Sequence, residues 1–319
     1  MNNTITVDDF LALYEFNLSD KQIVGVTKLV TEKNFNFEIL LGAKRDKIIL
    51  DTVRRINSNL SRSGEKRKPE WNDGWGENLN DFIASNFSEN ALIPKYYRPS
   101  QVKRWQGNYI FTESLSFEYD FFEVLRLIVF EAFLNRSKEV YEFGCGSPHN
   151  LVALSHLFPE INLHGCDWSQ SAVAICELLR ENNNMKIQGH LFDFFNPVLT
   201  EKSESEETFL TCGGLEQVGS NFEAFVDFIL EKSPEKVIHL EPISELYADD
   251  SENLFDYLAK SYHESRNYLN GYLTHLQNLE KQGLAEIEGV RRIPFGGQFH
   301  EGWTLIVWRP IPKVLSSKK

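Results

Sequence analysis

The chain has 319 residues, 42% of them apolar and 13% aromatic, enough to bury the core of one large α/β domain and a smaller addition. Its formal net charge of −13 argues against nucleic acid as the main partner, because phosphate binding needs a basic footprint. The segment Met1 to Phe16 carries Asp8, Asp9 and Glu15 and so lacks the basic start of a signal peptide, and no apolar run reaches membrane-spanning length.

In chain order, residues 1 to about 110 show short helical patterns. Val7 to Phe16 is one. Asp46 to Leu60 is another, with Ile48, Ile49, Leu50, Val53 and Ile56 on roughly one face. The basic stretch Ser61 to Pro69 reads as an exposed loop. An aromatic region follows, Trp71 to Trp75, and then a short helix around Leu79 to Ser85. Between Pro94 and Ile110, basic and aromatic residues crowd together: Lys95, Tyr96, Tyr97, Arg98, Lys103, Arg104, Trp105 and Tyr109.

An amphipathic helix over about Phe117 to Leu134 leads into a regular alternation. The predicted strands are Val140–Phe143, Ile161–Cys166, Met185–Phe192, Thr208–Thr211 and Lys236–Leu240, with helices between them. Ser169 is a good N-cap for the helix ending at Asn182. A polar loop, Ser203 to Glu207, precedes the fourth strand, and Phe222 to Leu230 is the helix before the fifth. A long helical region, about Glu252 to Gln282, comes before two final strands, Ala285–Ile293 and Trp303–Trp308. Such alternation implies a mostly parallel sheet with right-handed crossovers, and the closing hairpin adds one antiparallel strand. Two regions are expected: a mainly helical one over 1–112, a lid and specificity element, and a larger α/β domain over 113–319.

Ligands of such sheets bind at the carboxyl ends of the strands. There the chain places Glu142-Phe143-Gly144-Cys145-Gly146-Ser147-Pro148 after strand one, Asp167-Trp168 after strand two and Asp193-Phe194 after strand three. The glycines allow a tight turn and close backbone approach, and the following helix offers free N–H groups to an anion. This order resembles the class I S-adenosylmethionine-dependent methyltransferases, whose first loop reads acidic-x-Gly-x-Gly, over about Tyr141 to Trp308. The resemblance implies a Rossmann-like seven-stranded sheet and S-adenosylmethionine as cofactor. Glu142, Gly144, Cys145 and Gly146 would surround its methionine part. Asp167 would hold the ribose and Asp193 the adenine, with Trp168 and Phe194 beside the ring. One departure is Pro148, where the family commonly has a third glycine; proline suits a first helical turn. A nicotinamide dinucleotide is the rival ligand, but His149 stands where its fingerprint wants the last glycine.

Methyl transfer needs the nucleophile aligned with the methyl carbon, and a hydroxyl nucleophile also needs a base. His300 in the last hairpin turn is the first candidate, with Glu216 after strand four and Glu241 after strand five as alternatives. Tyr97, Arg98, Arg104 and His263 are candidate substrate contacts. They favour an anionic, hydroxyl-bearing acceptor such as a phosphorylated or nucleotide-linked sugar, since Arg forks match phosphate. The run Lys95 to Ile110, with Glu216-Gln217 and His300-Glu301-Gly302, also has a weak likeness to bacterial sugar-modifying methyltransferases. An amine or carboxylate of a natural-product precursor, or a partner subunit that binds cofactor without catalysis, are the alternatives. Cys145, Cys166, Cys176 and Cys212 form no CxxC pair, so no metal is expected. The expectation is a cytoplasmic enzyme acting on a small molecule, without nucleic-acid or membrane partner, and compatible with a homodimer.

Overall fold

The computed structural model describes residues 3–13, 18–97, 99–199, 206–248 and 253–312. The N-terminal region runs β1 (Asn3–Thr4), α1 (Val7–Ala12), α2 (Asp20–Thr31), β2 (Asn36–Ile39), α3 (Gly42–Ile56), α4 (Lys68–Ala84), β3 (Val102–Trp105) and β4 (Asn108–Thr112). The rest runs α5 (Phe117–Phe133), β5 (Glu139–Phe143), α6 (His149–Leu157), β6 (Asn162–Asp167), α7 (Gln170–Asn182), β7 (Ile187–Leu191), β8 (Glu207–Cys212), α8 (Glu223–Lys232), β9 (Lys236–Glu241), α9 (Leu254–Arg266), α10 (Tyr272–Lys281), β10 (Ala285–Arg292), β11 (Phe295–Gly296) and β12 (Thr304–Pro310).

Seven strands form the main sheet in the order β10-β12-β9-β8-β5-β6-β7. β12 runs antiparallel to both neighbours, and β9 through β7 pair in parallel. The central strands are apolar on both faces, as a sheet covered by helices requires: Val140, Phe143, Leu163, Leu210, Ile238 and Leu240 are all buried. This is the mostly parallel sheet with one antiparallel strand that the alternation implied, and its seven strands agree with the Rossmann-like sheet the resemblance implied, with β10 and β12 as the closing hairpin. Among the described residues, no helix is long and apolar enough to cross a membrane.

Helix α5 buries ten of its residues, Phe121 and Phe122 among them. Phe121 stacks on Phe295 at 3.8 Å between ring centroids, and Phe122 stacks on Trp303 at 5.1 Å. That packing draws the hairpin tip into a second sheet, ordered β1-β2-β4-β3-β11. Phe295 and Gly296 of the tip pair with Trp105 and Arg104 of β3. The last hairpin thus belongs to both sheets and ties the N-terminal region to the main domain.

Several local expectations change. The helix expected around Leu79 to Ser85 begins earlier, so that the aromatic region at Trp71 to Trp75 is the first half of α4, which starts with Pro69 in its first turn. Helix α3 buries only Thr52, while Leu50 and Val53 of its expected apolar face are exposed. The long helical region after β9 breaks in two, with Asn267 and Gly271 both at positive φ between the pieces. The last part of the helix expected over Val7 to Phe16, and most of the loop Ser203 to Glu207, lie outside the described residues.

Candidate functional site

After β5 the chain turns on Gly144 and Gly146, at φ +75° and +56°. Glycine is required there twice over. The conformation strains any other residue, and the neighbours leave no room for one. A Cβ on Gly144 would stand 3.0 Å from Gly214 Cα, and one on Gly146 would stand 2.5 Å from Trp75 Cζ2.

Asp167 closes the turn from the end of β6. Its Oδ2 accepts the Gly146 N–H at 3.0 Å and its Oδ1 the Ser169 N–H at 2.9 Å. Burial pushes its carboxyl up to about 6, against the pull of the Ser169, Gly146 and Trp168 N–H groups. Glu142, in β5, is fully buried. Its Oε1 accepts Asn150 Nδ2 at 2.7 Å, while Oε2 has no partner. Burial pushes Glu142 up to about 8, although the Asn150 bond and the Arg126 charge pull the other way. Arg126, from α5, donates to Asn150 Oδ1 at 3.1 Å and to the His149 carbonyl at 3.3 Å, fixing the start of α6.

These elements wall a pocket at the carboxyl end of the sheet. Gly144, Cys145, Asp167, Trp168 and Phe194, all expected at the cofactor, line it together with His149, Asn150, Cys212, Gly214 and Gln217. Helix α4 and the segment after it supply the other wall: Trp71, Trp75, Pro94 and Tyr96. Trp71 and Trp75 stack at 5.7 Å, and Tyr96 meets Trp75 edge-on at 6.5 Å. Beside Glu142 Oε2, the indole N–H of Trp71 and both ring nitrogens of His149 are buried without a hydrogen-bond partner.

Asp193 lies beside the pocket, but its carboxylate is in use. Oδ2 takes the Lys68 ammonium at 2.5 Å and Oδ1 the Phe195 N–H at 3.0 Å. Lys68 also stands 5.5 Å from the Trp168 ring and 5.4 Å from the Phe195 ring, two rings only 4° from parallel.

The catalytic candidates separate. Glu241 is fully buried, and its two oxygens accept the N–H groups of Gly214, Leu215 and Glu216 at 3.0 to 3.1 Å. It holds the turn after β8 in place of facing a substrate. Glu216 begins at that turn between the pocket residues Gly214 and Gln217, and its Oε1 accepts Gln217 Nε2 at 2.5 Å. Burial and the Glu241 charge push Glu216 up to about 8. His300, the first candidate, does not line this pocket. Its Nδ1 pairs with His263 Nε2 at 3.1 Å, and its ring stacks on Tyr262. Burial and the charge of Arg104 push it down to about 4.

The expected basic substrate cluster also disperses. Lys103 is buried against Glu118. Arg104 is buried too, donating to the carbonyls of Phe299 at 3.1 Å and Phe255 at 2.6 Å. Lys95 pairs with Glu77 and Asp81 at the surface. Tyr97 packs on Phe122 behind His149, and Arg98 lies outside the described residues. Strand β3 explains the error: pairing with β4 and β11 turns a basic-looking run into the interior of a sheet. Lys68, Trp71, Trp75, His149 and Gln217 stand at or beside the pocket without having been expected there. The only signal for them was the pair of tryptophans four residues apart, which one helix face brings together.

No protein-family model matches the chain, and no curated protein matches its sequence. Solved structures do match. A 4+2 cyclase, SpnF, aligns with a TM-score of 0.51 at 12% identity, over 79% of this chain and 97% of that one. The N,N-8-amino-8-demethyl-D-riboflavin dimethyltransferase RosA from Streptomyces davawensis aligns with a TM-score of 0.39 at 14% identity, over 60% of this chain. An O-methyltransferase, NcsB1, from neocarzinostatin biosynthesis, solved with S-adenosylmethionine and 2-hydroxy-5-methyl naphthoic acid, gives 0.41 at 12% identity, over 61% of this chain. The match spans 58% of the length of each of these two methyltransferases. At such identities the likeness is one of fold.

Proposed function

We propose that the chain binds S-adenosylmethionine and transfers its methyl group to a small molecule. A fold alone does not decide this, since one structure of similar fold is named a cyclase. The reading rests on one observation. Buried polar atoms without partners, Trp71 Nε1 and the two His149 nitrogens, belong to residues lining a single pocket at the turn after β5, and Glu142 Oε2, also without a partner, lies behind it on the carboxyl bonded to the lining residue Asn150. Native interiors rarely leave such groups unpaired, so a cluster of them fits a polar ligand.

The residues fit this cofactor. The glycine turn offers close backbone approach. Asp167, held by two N–H bonds, keeps lone pairs for ribose hydroxyls. Trp168 and Phe194 line the wall expected beside the adenine. The cofactor would supply an electrophilic methyl on a sulfonium. The chain's own part is to align the acceptor with it and exclude water, which Trp71, Trp75 and Tyr96 do as an aromatic wall. Of the candidate bases, Glu216 sits closest along the chain to the pocket wall; its carboxyl, raised to about 8 by burial, is mostly protonated at neutral pH, and only its ionised form would act as the base. Oxygen remains the preferred methyl acceptor. The anionic sugar loses its support, because the described basic residues meant to hold it are paired elsewhere.

Calorimetry with S-adenosylhomocysteine tests the binding half of this reading, and radiolabelled methyl transfer across a panel of acceptors tests the other. Binding of NAD in place of S-adenosylhomocysteine would overturn it. Cofactor binding with no transfer to any acceptor would leave a binding module.

A further inference from the structure

His149 is the most conspicuous unexplained side chain in the protein. It is 8% exposed, it lines the pocket, and neither ring nitrogen has a partner. Its ring sits among the rings of Tyr97, Tyr119 and Phe122 at 6.1 to 6.4 Å, and none of them hydrogen-bonds its nitrogens. Leaving a buried polar group unpaired carries a desolvation cost, which a ligand's hydrogen bond would recover.

We propose that His149 hydrogen-bonds a hydroxyl on an uncharged, planar-ring acceptor bound between it and the Trp71–Trp75 wall. The proposal deepens the methyltransferase reading and rests on it for the word acceptor; the contact itself rests on the pocket. A neutral imidazole carries one N–H and one lone pair, and a hydroxyl complements either. The ring stays neutral because burial, and then the charge of Arg126, hold it well below its usual pKa. The same Arg126 makes a protonated His149 costly, so the imidazole positions the acceptor and does not serve as its base. Trp71 has one face covered by the Arg67 guanidinium at 5.1 Å and its indole N–H still unpaired. Stacked indoles favour a flat ring over a flexible chain. Among the described lining residues there is no lysine or arginine to attract an anion.

The test is calorimetric titration of 2-naphthol, its methyl ether and 2-naphthyl phosphate, with and without S-adenosylhomocysteine. The wild type should prefer naphthol to the ether by about tenfold, one unpaired buried group at 1.4 kcal/mol per decade. His149→Phe should erase that preference and His149→Gln, which keeps a donor and an acceptor, should restore most of it. A preference surviving in His149→Phe, tighter binding of the phosphate, or no naphthol binding at all would each overturn the proposal. So would loss of S-adenosylhomocysteine binding in a folded His149→Phe, which would set the imidazole against the cofactor. If the wild type binds naphthol as expected but no S-adenosylhomocysteine, the cofactor reading fails and the His149 contact stands.

Discussion

Lys68 Nζ lies 2.5 Å from Asp193 Oδ2, and so the carboxylate expected to meet the adenine is already paired with a cation from α4. The ammonium stands near two almost parallel aromatic rings, as an exocyclic amine beside a stacked base would. Lysine and nucleobase would then compete for one place. Lys68→Met should tighten S-adenosylhomocysteine binding by roughly threefold, a modest gain because both partners of this pair are about a quarter exposed. High salt should narrow the gap between variant and wild type. Weaker binding by the variant in calorimetry would mean that Lys68 holds the cofactor in place of excluding it.

Asp167 joins the end of β6 to the glycine turn through the Gly146 and Ser169 N–H groups. Asp167→Ala leaves both donors unpaired in a buried site, at about 1–3 kcal/mol each. Stability and cofactor affinity should therefore fall together, the affinity by an order of magnitude or more. Asp167→Asn keeps one oxygen acceptor and should fall between the two. An unchanged affinity for S-adenosylhomocysteine in Asp167→Ala would remove the ribose role.

What the sequence made legible is the part built from long apolar strands. Val140–Phe143, Ile161–Cys166 and Lys236–Leu240 are runs whose two buried faces leave one reading, and β5, β6 and β9 follow them. The second sheet was invisible because its strands hold two to five residues and pair across the whole chain, Phe295 with Trp105 among them. Helix α4 was half-missed because Gly74 and Gly76 interrupt its pattern and only Asn78 and Phe82 are buried. Its place over the Gly146 turn is tertiary: Trp75 meets a residue 71 positions later, which no local period encodes. His149 stood in view beside Pro148, but as the residue that spoils a dinucleotide motif and not as a group with chemistry of its own.

Burial raises Glu142 and Glu216 to about 8, above the usual carboxylate range near 4.5. Between these values the folded chain holds protons that the unfolded chain has released, so unfolding releases protons and stability falls as pH rises. The ligand-free protein should melt higher near pH 5 than near pH 9, by about 2–4 °C for each kcal/mol lost. Glu142→Gln, neutral throughout, should remove Glu142's share of this dependence and leave that of Glu216. If its melting profile kept the wild-type slope, the buried carboxyl would not be the group responsible.

The Trp75 indole packs directly on Gly146: a Cβ added to the glycine would stand 2.5 Å from the indole Cζ2. Gly146→Ala carries two separate costs. Positive φ costs an alanine about 1–2 kcal/mol whatever surrounds it. The clash with the indole adds more, and only the clash depends on Trp75. A double-mutant cycle separates them. Gly146→Ala alone should lower the melting temperature and weaken S-adenosylhomocysteine binding. Adding Trp75→Ala should return the part due to the clash, so that the two losses sum to less than additive. Strict additivity in chemical denaturation would show that α4 yields freely before the methyl group of the alanine. The wall over the glycine turn would then be soft, and the stacked indoles could not hold a flat acceptor in one orientation.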